Sequence, residues 1–272
     1  MGTYATSPQD VPLLDVVGAK LSFGGVQALQ GMDLRLTYGE SAALIGPNGS
    51  GKSTLVNVIT RMINLEGGAV KLGGTDVTNV KPHELIGHGV ARSFQHVRLI
   101  PELTLRENVE LGVAHADLKR QFGEIRTWFG LGTNRHVSAA AREALGLVEV
   151  PERVRDLLPT QVSFAMQRLT EIARALITRP RLLLLDEPVA GMNPAEVEDF
   201  RGTLRRINES GCAVLLIEHN IDFVMKAVTN ITVINRGKRI AYGTVDEVRR
   251  DPRVIEAYLG VRHRVDGVGD VR

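Results

Sequence analysis

The chain of 272 residues carries one cysteine, Cys212. A single thiol excludes an internal disulfide framework and suits a reducing compartment. Cys212 precedes the apolar run 213–217, so a buried structural thiol is expected there rather than a reactive one. An excess of one charge is also missing: 33 Lys and Arg against 31 Asp and Glu leave a formal net charge of +2. That balance supplies no electrostatic footprint for nucleic acid, and no nucleic-acid partner is expected. Long hydrophobic runs are absent as well. Nothing approaches the ~18 continuous apolar residues that suggest a bilayer span. The longest, Leu182-Leu183-Leu184-Leu185, stops at Asp186 and reads as a buried strand. Residues 1–10 have neither a basic start nor an apolar stretch, so no secretory signal is expected. Work at a membrane would require another chain to hold this one there.

What is present is concentrated in Gly46-Pro47-Asn48-Gly49-Ser50-Gly51-Lys52-Ser53-Thr54, which fits the pattern G-x-x-x-x-G-K-[ST]. Backbone N–H groups must turn inward around a phosphate, which needs glycine wherever a Cβ would collide. A helix must begin at the phosphate so that its unpaired N–H groups and positive dipole end face the charge. In this pattern Lys52 reaches the β- and γ-phosphates and the Ser53 hydroxyl ligates Mg²⁺. An ordinary glycine-rich turn is the alternative, and context argues against it. Ser41-Ala42-Ala43-Leu44-Ile45 reads as a short buried strand before the loop. After the loop, Leu55, Val58, Ile59 and Met62 fall at i, i+3, i+4 and i+7, the spacing of one helical face.

Hydrophobic residues at 43% and charged residues at 24% are ordinary for a soluble globular protein. Residues 1–10 read as a flexible tail, 11–260 as one domain, and 261–272 as a second tail. Strands are expected over 13–23, 32–36, 41–45 and 67–74. The segment from 102 to about 177 reads as mostly helical, interrupted near 130–134. Beyond Arg179-Pro180, strand 182–185, helix 194–208, strand 213–217, helix 221–228 and strands near 231–235 and 239–241 alternate. The fold class is therefore α/β, with a largely parallel sheet covered on both faces. A β-rich N-terminal part and a core of 11–95 and 180–260 would carry an inserted helical subdomain over about 96–179.

Two further groups belong to this chemistry. In a parallel sheet, ligands lie beyond the carboxyl ends of the strands. Asp186, ending one such strand, can hold Mg²⁺ through a water, and Glu187 can accept a proton from an attacking water. His219 follows strand 213–217 and can hydrogen-bond a γ-phosphate oxygen. Solvated acids and a structural histidine are the alternatives, weakened by the glycine loop in the same chain. The remaining histidines lack metal-ligand spacing.

These motifs together resemble the ATP-binding cassette (ABC) ATPases, from about Leu13 to Gly260 and in the family's order. The resemblance implies a P-loop NTPase (RecA-like) core, ATP and Mg²⁺ as ligands, and ATP hydrolysis coupled to transport. It implies that Gln95, in Ser93-Phe94-Gln95, contacts Mg²⁺ or the water. Phe23 would stack on adenine, and 188–194 would be the D-loop. Within the family, the runs 93–104, 187–194 and 251–260 are similar to ATPase subunits of branched-chain amino-acid importers. Related cassettes serving urea, amide or lipid-type substrates are the near alternative, and a soluble regulatory ABC protein the distant one. The second is disfavoured because the chain has one cassette and no long heptad run. The partners implied are two membrane-spanning permease subunits, a second ABC ATPase chain and an extracytoplasmic solute-binding protein. The chain would sit peripherally at the cytoplasmic face of the plasma membrane.

The family's L-S-G-G-Q signature corresponds here to Val162-Ser163-Phe164-Ala165-Met166. Ser163 can cap the helix and donate to a phosphate. Ala165 puts a Cβ where backbone should approach the γ-phosphate, and Met166 replaces a glutamine. In this family one chain's signature completes the other chain's ATP site. A heterodimer with a more regular second cassette is therefore favoured over a homodimer, and a poorly hydrolysing subunit is a third alternative.

Overall fold

The computed structural model describes residues 11–93, 97–117 and 135–265. In chain order the elements are strands β1 (Leu14–Phe23), β2 (Val26–Leu36) and β3 (Ser41–Ile45), helix α1 (Lys52–Ile59), and strands β4 (Gly67–Leu72) and β5 (Thr75–Asp76). Next come β6 (Val90–Arg92), the helices α2 (Leu105–Asp117), α3 (Arg135–Leu147) and α4 (Phe164–Leu176), then β7 (Leu182–Asp186) and α5 (Pro194–Glu209). The chain finishes with β8 (Ala213–Ile217), α6 (Ile221–Ala227), β9 (Asn230–Asn235), β10 (Lys238–Thr244), α7 (Val245–Arg250) and α8 (Pro252–Val265). It divides into two compact units, one spanning Glu84–Cys212 and the other 11–83 with 213–265.

In the second of these, β1 lies antiparallel between β2 and β4, with β5 beyond β4. Leu14 and Val16 face inward, then Ala19 and Leu21, so the alternation slips by one residue. The slip is a bulge: the register shifts between Val16 and Ala19. Gly18 there has φ 58°, and its N–H donates to Asp33 Oδ1 at 2.8 Å. Without that extra residue every later side chain of β1 would face the wrong way. A separate run orders β10, β9, β3 and β8, with β3 parallel to both β8 and β9. β3 and β8 are almost wholly buried. Their unbroken apolar sequences are what strands covered on both faces require.

In the Glu84–Cys212 unit, β6 pairs parallel with β7, Val90 opposite Leu182. Helices α2, α3 and α4 pack on one another. Cys212 is fully buried here, and burial pushes its thiol up to about 12. The expected structural thiol is what the fold contains.

One expectation fails at an element end. Met62 is 62% exposed, because α1 stops at Ile59 and Arg61 turns left-handed with φ 58°. The buried face is instead Leu55, Val56, Val58 and Ile59. Helix α8 runs to Val265, so residues 261–265 of the expected C-terminal tail are helical. β6 escaped the sequence reading because three residues carry no period.

Candidate functional site

The phosphate loop leaves β3 at Gly46. A Cβ there would collide with the Ile234 carbonyl oxygen and lie 2.8 Å from Ser50 Oγ. Gly49 is required for its backbone, at φ +75° with open space around it. Gly51 is required for both reasons, at φ +109° with the Ala28 carbonyl 2.7 Å from an added Cβ. The Gly237 N–H donates to the Ser50 carbonyl at 2.8 Å, bracing the loop from the β9–β10 turn. Lys52 folds back over the loop and donates from Nζ to the carbonyls of Gly46 at 2.7 Å and Pro47 at 3.1 Å.

Two observations bear on what the loop could hold. Helix α1 starts from Gly51 with no side-chain cap and no acid in its first turn. Ser50 Oγ is buried and makes no hydrogen bond among the described residues. An uncapped helix start beside an unsatisfied hydroxyl suits a phosphate group. Asn48, Gly49 and Ser53 are exposed, while Pro47 and Thr54 are half-buried. A contact the sequence did not suggest comes from the other end of the chain. Tyr258 on α8 lies against the backbone of Gly46, and burial pushes its hydroxyl up to about 12.

In the same unit, Phe23 ends β1 and is 50% exposed. A ring that large left half in water is free to stack on a planar ligand. His219 is exposed just past β8. Its backbone is fixed by buried Glu218, whose Oε2 accepts from the N–H groups of His219 at 3.1 Å and Asn220 at 3.3 Å.

The Glu84–Cys212 unit holds the acids. Asp186 closes the wholly buried β7. Its Oδ2 pairs with Arg92 Nη2 at 2.9 Å, with both side chains mostly buried. Glu187 follows with φ 46°, an uncommon conformation for a residue with a Cβ. Behind it lies Arg168 on α4, fully buried, donating from Nη2 to the Glu187 carbonyl at 3.0 Å. Arg168 Nη1 also pairs with buried Glu171 Oε2 at 2.9 Å. Neither arginine was picked out from sequence. Arg168 had left one signal: it interrupts an otherwise apolar stripe of Ala165, Ile172 and Leu176 on α4. A charge on a buried stripe must have a partner.

Ser163 caps α4, its hydroxyl accepting from the Met166 N–H at 3.3 Å. Ala165 is buried at 5% exposure, so its methyl packs inward, whereas Phe164 is 45% exposed. The bulk displayed at the signature is therefore Phe164. An added Cβ on Gly191, in 188–194, would lie 3.4 Å from the Phe164 ring. Gln95 and Phe94 lie outside the described residues.

Downstream of them, Val97, Leu99 and Leu103 are half-buried and Ile100 is 42% exposed. Buried Asn108 on α2 fixes this loop. Its Oδ1 accepts from the Ile100 N–H at 2.7 Å, and its Nδ2 donates to the carbonyls of Ile100, Leu103 and Thr104, each at 3.0 Å. Arg174 adds a bond to the Arg98 carbonyl at 2.7 Å.

A family model described as ABC transporter matches residues 29–190. The chain belongs to the ABC transporter family and is an ATP-binding cassette ATPase. A second model, branched-chain amino acid ATP-binding cassette transporter, matches residues 238–264. The chain is 38% identical to the high-affinity branched-chain amino acid transport ATP-binding protein BraF of Pseudomonas aeruginosa, over 92% of this chain and 98% of that one. It is 37% identical to LivG of Escherichia coli K12, a protein of the same description, with the same coverage of both chains. Among solved structures, the ADP conformation of MJ1267, an ATP-binding cassette of an ABC transporter, superposes with a TM-score of 0.81. That match has 31% identity and covers 92% of this chain and 99% of that one. No helix among the described residues is long and apolar enough to cross a membrane.

Proposed function

We propose that this chain powers an importer of branched-chain or closely related amino acids from the cytoplasmic face of the membrane. The supporting observation is the second family match, because residues 238–264 lie outside the general ABC transporter match over 29–190 and fit a model described for branched-chain amino acid cassettes. It includes Tyr258, which lies against the first glycine of the phosphate loop. Two permease subunits, a second cassette chain and an extracytoplasmic binding protein complete the machine.

In this reading the backbone of Gly46, Pro47, Asn48, Gly49, Ser50 and Gly51 cradles the phosphates, with Thr54 in the first turn of α1. Lys52 exchanges its two carbonyl partners for phosphate oxygens, so nucleotide binding replaces neutral acceptors by charged ones. Phe23 stacks on adenine. Ser53, Asp186 and Gln95 hold Mg²⁺, which when bound neutralises phosphate charge. Asp186 fits that role: its carboxylate is nearly buried and already bears a cation, the Arg92 guanidinium. Glu187 accepts the proton of the attacking water, with its backbone held by Arg168. His219 donates to a γ-phosphate oxygen. Ser163 serves the partner chain's nucleotide.

The loop 97–104 is the contact for a permease helix. Asn108 holds it rigid while Ile100 stays exposed, a preformed apolar knob rather than a packed core residue. The test is reconstitution with the permease subunits and binding protein in proteoliposomes. ATP-dependent leucine uptake is expected, and Ile100→Asp should abolish uptake while the isolated chain still binds ATP. Uptake of urea or an amide instead of leucine would overturn the substrate assignment. Full uptake by the Ile100→Asp complex would overturn the contact.

A further inference from the structure

Asp186 does not wait for its metal as a bare carboxylate. Burying an unpaired charge costs several kcal/mol, so a nearly buried aspartate is stabilised by a cation beside it. Arg92 supplies it. The guanidinium stands at the end of β6, the strand paired with β7, with Arg92 opposite Leu184 in the register. Its Nη2 is 2.9 Å from Asp186 Oδ2, and the two side chains are 15% and 11% exposed. A pair this sheltered is screened little by salt. Any cation that reaches Asp186 must therefore displace or share with one already bound.

We propose that Arg92 is a resident competitor for Mg²⁺ at Asp186, setting the metal concentration at which the cassette takes up Mg·ATP. This rests on the reading that Asp186 serves the metal. When the metal binds, the Asp186 carboxylate is shared between two cations, and Arg92 must swing away or tolerate the second charge. Arg92 is a positioning residue in this scheme, acting on the metal through Asp186.

The consequence is a metal dependence that can be read without turnover. Binding of the non-hydrolysable analogue AMP-PNP to the purified full chain is followed by calorimetry, first in EDTA and then across a Mg²⁺ series. Arg92→Gln keeps hydrogen-bonding capacity but removes the charge. The Mg²⁺ midpoint should fall about tenfold, and AMP-PNP affinity in EDTA should weaken because Asp186 is left uncompensated beside added negative charge. Arg92→Lys keeps a charge but loses the planar fork, and should shift the midpoint about twofold in the same direction. In an Asp186→Asn background, Arg92→Gln should change nothing further, since the cycle closes only if the two residues act on each other. The Asp186→Asn/Arg92→Gln protein removes both charges together and folds even if Arg92→Gln does not.

An unchanged midpoint in Arg92→Gln and Arg92→Lys, with Asp186→Asn clearly shifted, would overturn the competitor role and leave the metal assignment standing. An Asp186→Asn protein with the wild-type Mg²⁺ series would overturn the metal assignment itself. Equal loss of affinity with and without Mg²⁺ in Arg92→Gln would reduce Arg92 to a structural partner of β7.

Discussion

The phosphate loop and the Asp186–Glu187 turn present charge-handling groups in opposite ways. In the loop the candidate groups are backbone N–H bonds, so the sequence must advertise them with glycine. Gly46, Gly49 and Gly51 each answer a steric or φ demand found in the structure. At the end of β7 the candidate groups are carboxylates, and what positions them comes from far away along the chain. Arg92 is 94 residues from Asp186, and Arg168 is 19 from Glu187. A backbone site is legible locally. A side-chain site held by distant arginines is not.

The sharpest way to break this contrast is at its two ends. Glu187→Gln should leave nucleotide binding intact while hydrolysis in the assembled transporter falls at least ~10²-fold, as for loss of a positioned base. Lys52→Ala should act earlier, raising the dissociation constant for ATP by removing a fixed charge from the phosphates. Calorimetry and phosphate release separate the two. Near-normal turnover by Glu187→Gln would mean that the acids are not where the chemistry is done.

Arg168 offers a smaller and more diagnostic effect. Removing its charge would take from Glu171, which is 2% exposed, its partner at 2.9 Å and leave it Arg174 at 3.8 Å, destabilising the unit by about 3 kcal/mol. Arg168→Lys avoids this by keeping a cation beside Glu171 while losing the fork that reaches the Glu187 carbonyl. Glu187 sits at φ 46°, a conformation that persists only where its surroundings impose it. We expect kcat to fall about tenfold, ~1.4 kcal/mol of barrier, with KM for ATP unchanged. A lower melting temperature with unaltered kcat would make Arg168 structural only.

The same contrast explains what could be read in advance. Strands β3 and β8 were recovered to the residue, because continuous apolar runs bounded by turns have one reading. The capping role of Ser163 followed from its hydroxyl at a helix start, and the buried thiol of Cys212 from the apolar strand after it. Elements without a period were missed. β6 has three residues, and α8 continues through a segment whose polar composition suggested a tail. Tyr258 against Gly46 joins positions 212 apart, a contact that no local pattern encodes. At the signature, Phe164 is the exposed side chain and Ala165 the buried one, a distinction that the substitution pattern alone does not carry.

That arrangement turns the proposed asymmetry between ATP sites into a test of one side chain. If the signature of this chain closes over a partner's nucleotide, the exposed Phe164 ring is what that nucleotide meets, and Ala165 is neutral. Phe164→Gly should then raise ATPase activity of the purified chain about threefold, ~0.7 kcal/mol of barrier. Ala165→Gly should leave it unchanged. The substitution carries its own cost: glycine in the first turn of α4 loses up to ~1 kcal/mol of helix stability. Rates are therefore compared well below the melting transition of each variant. With the second cassette chain present, whose signature would cover Lys52, the gain should shrink, because the faster site already dominates turnover. A purified chain that hydrolyses ATP at the full rate of the assembled transporter, indifferent to residue 164, would show that the signature limits nothing and that a homodimer suffices.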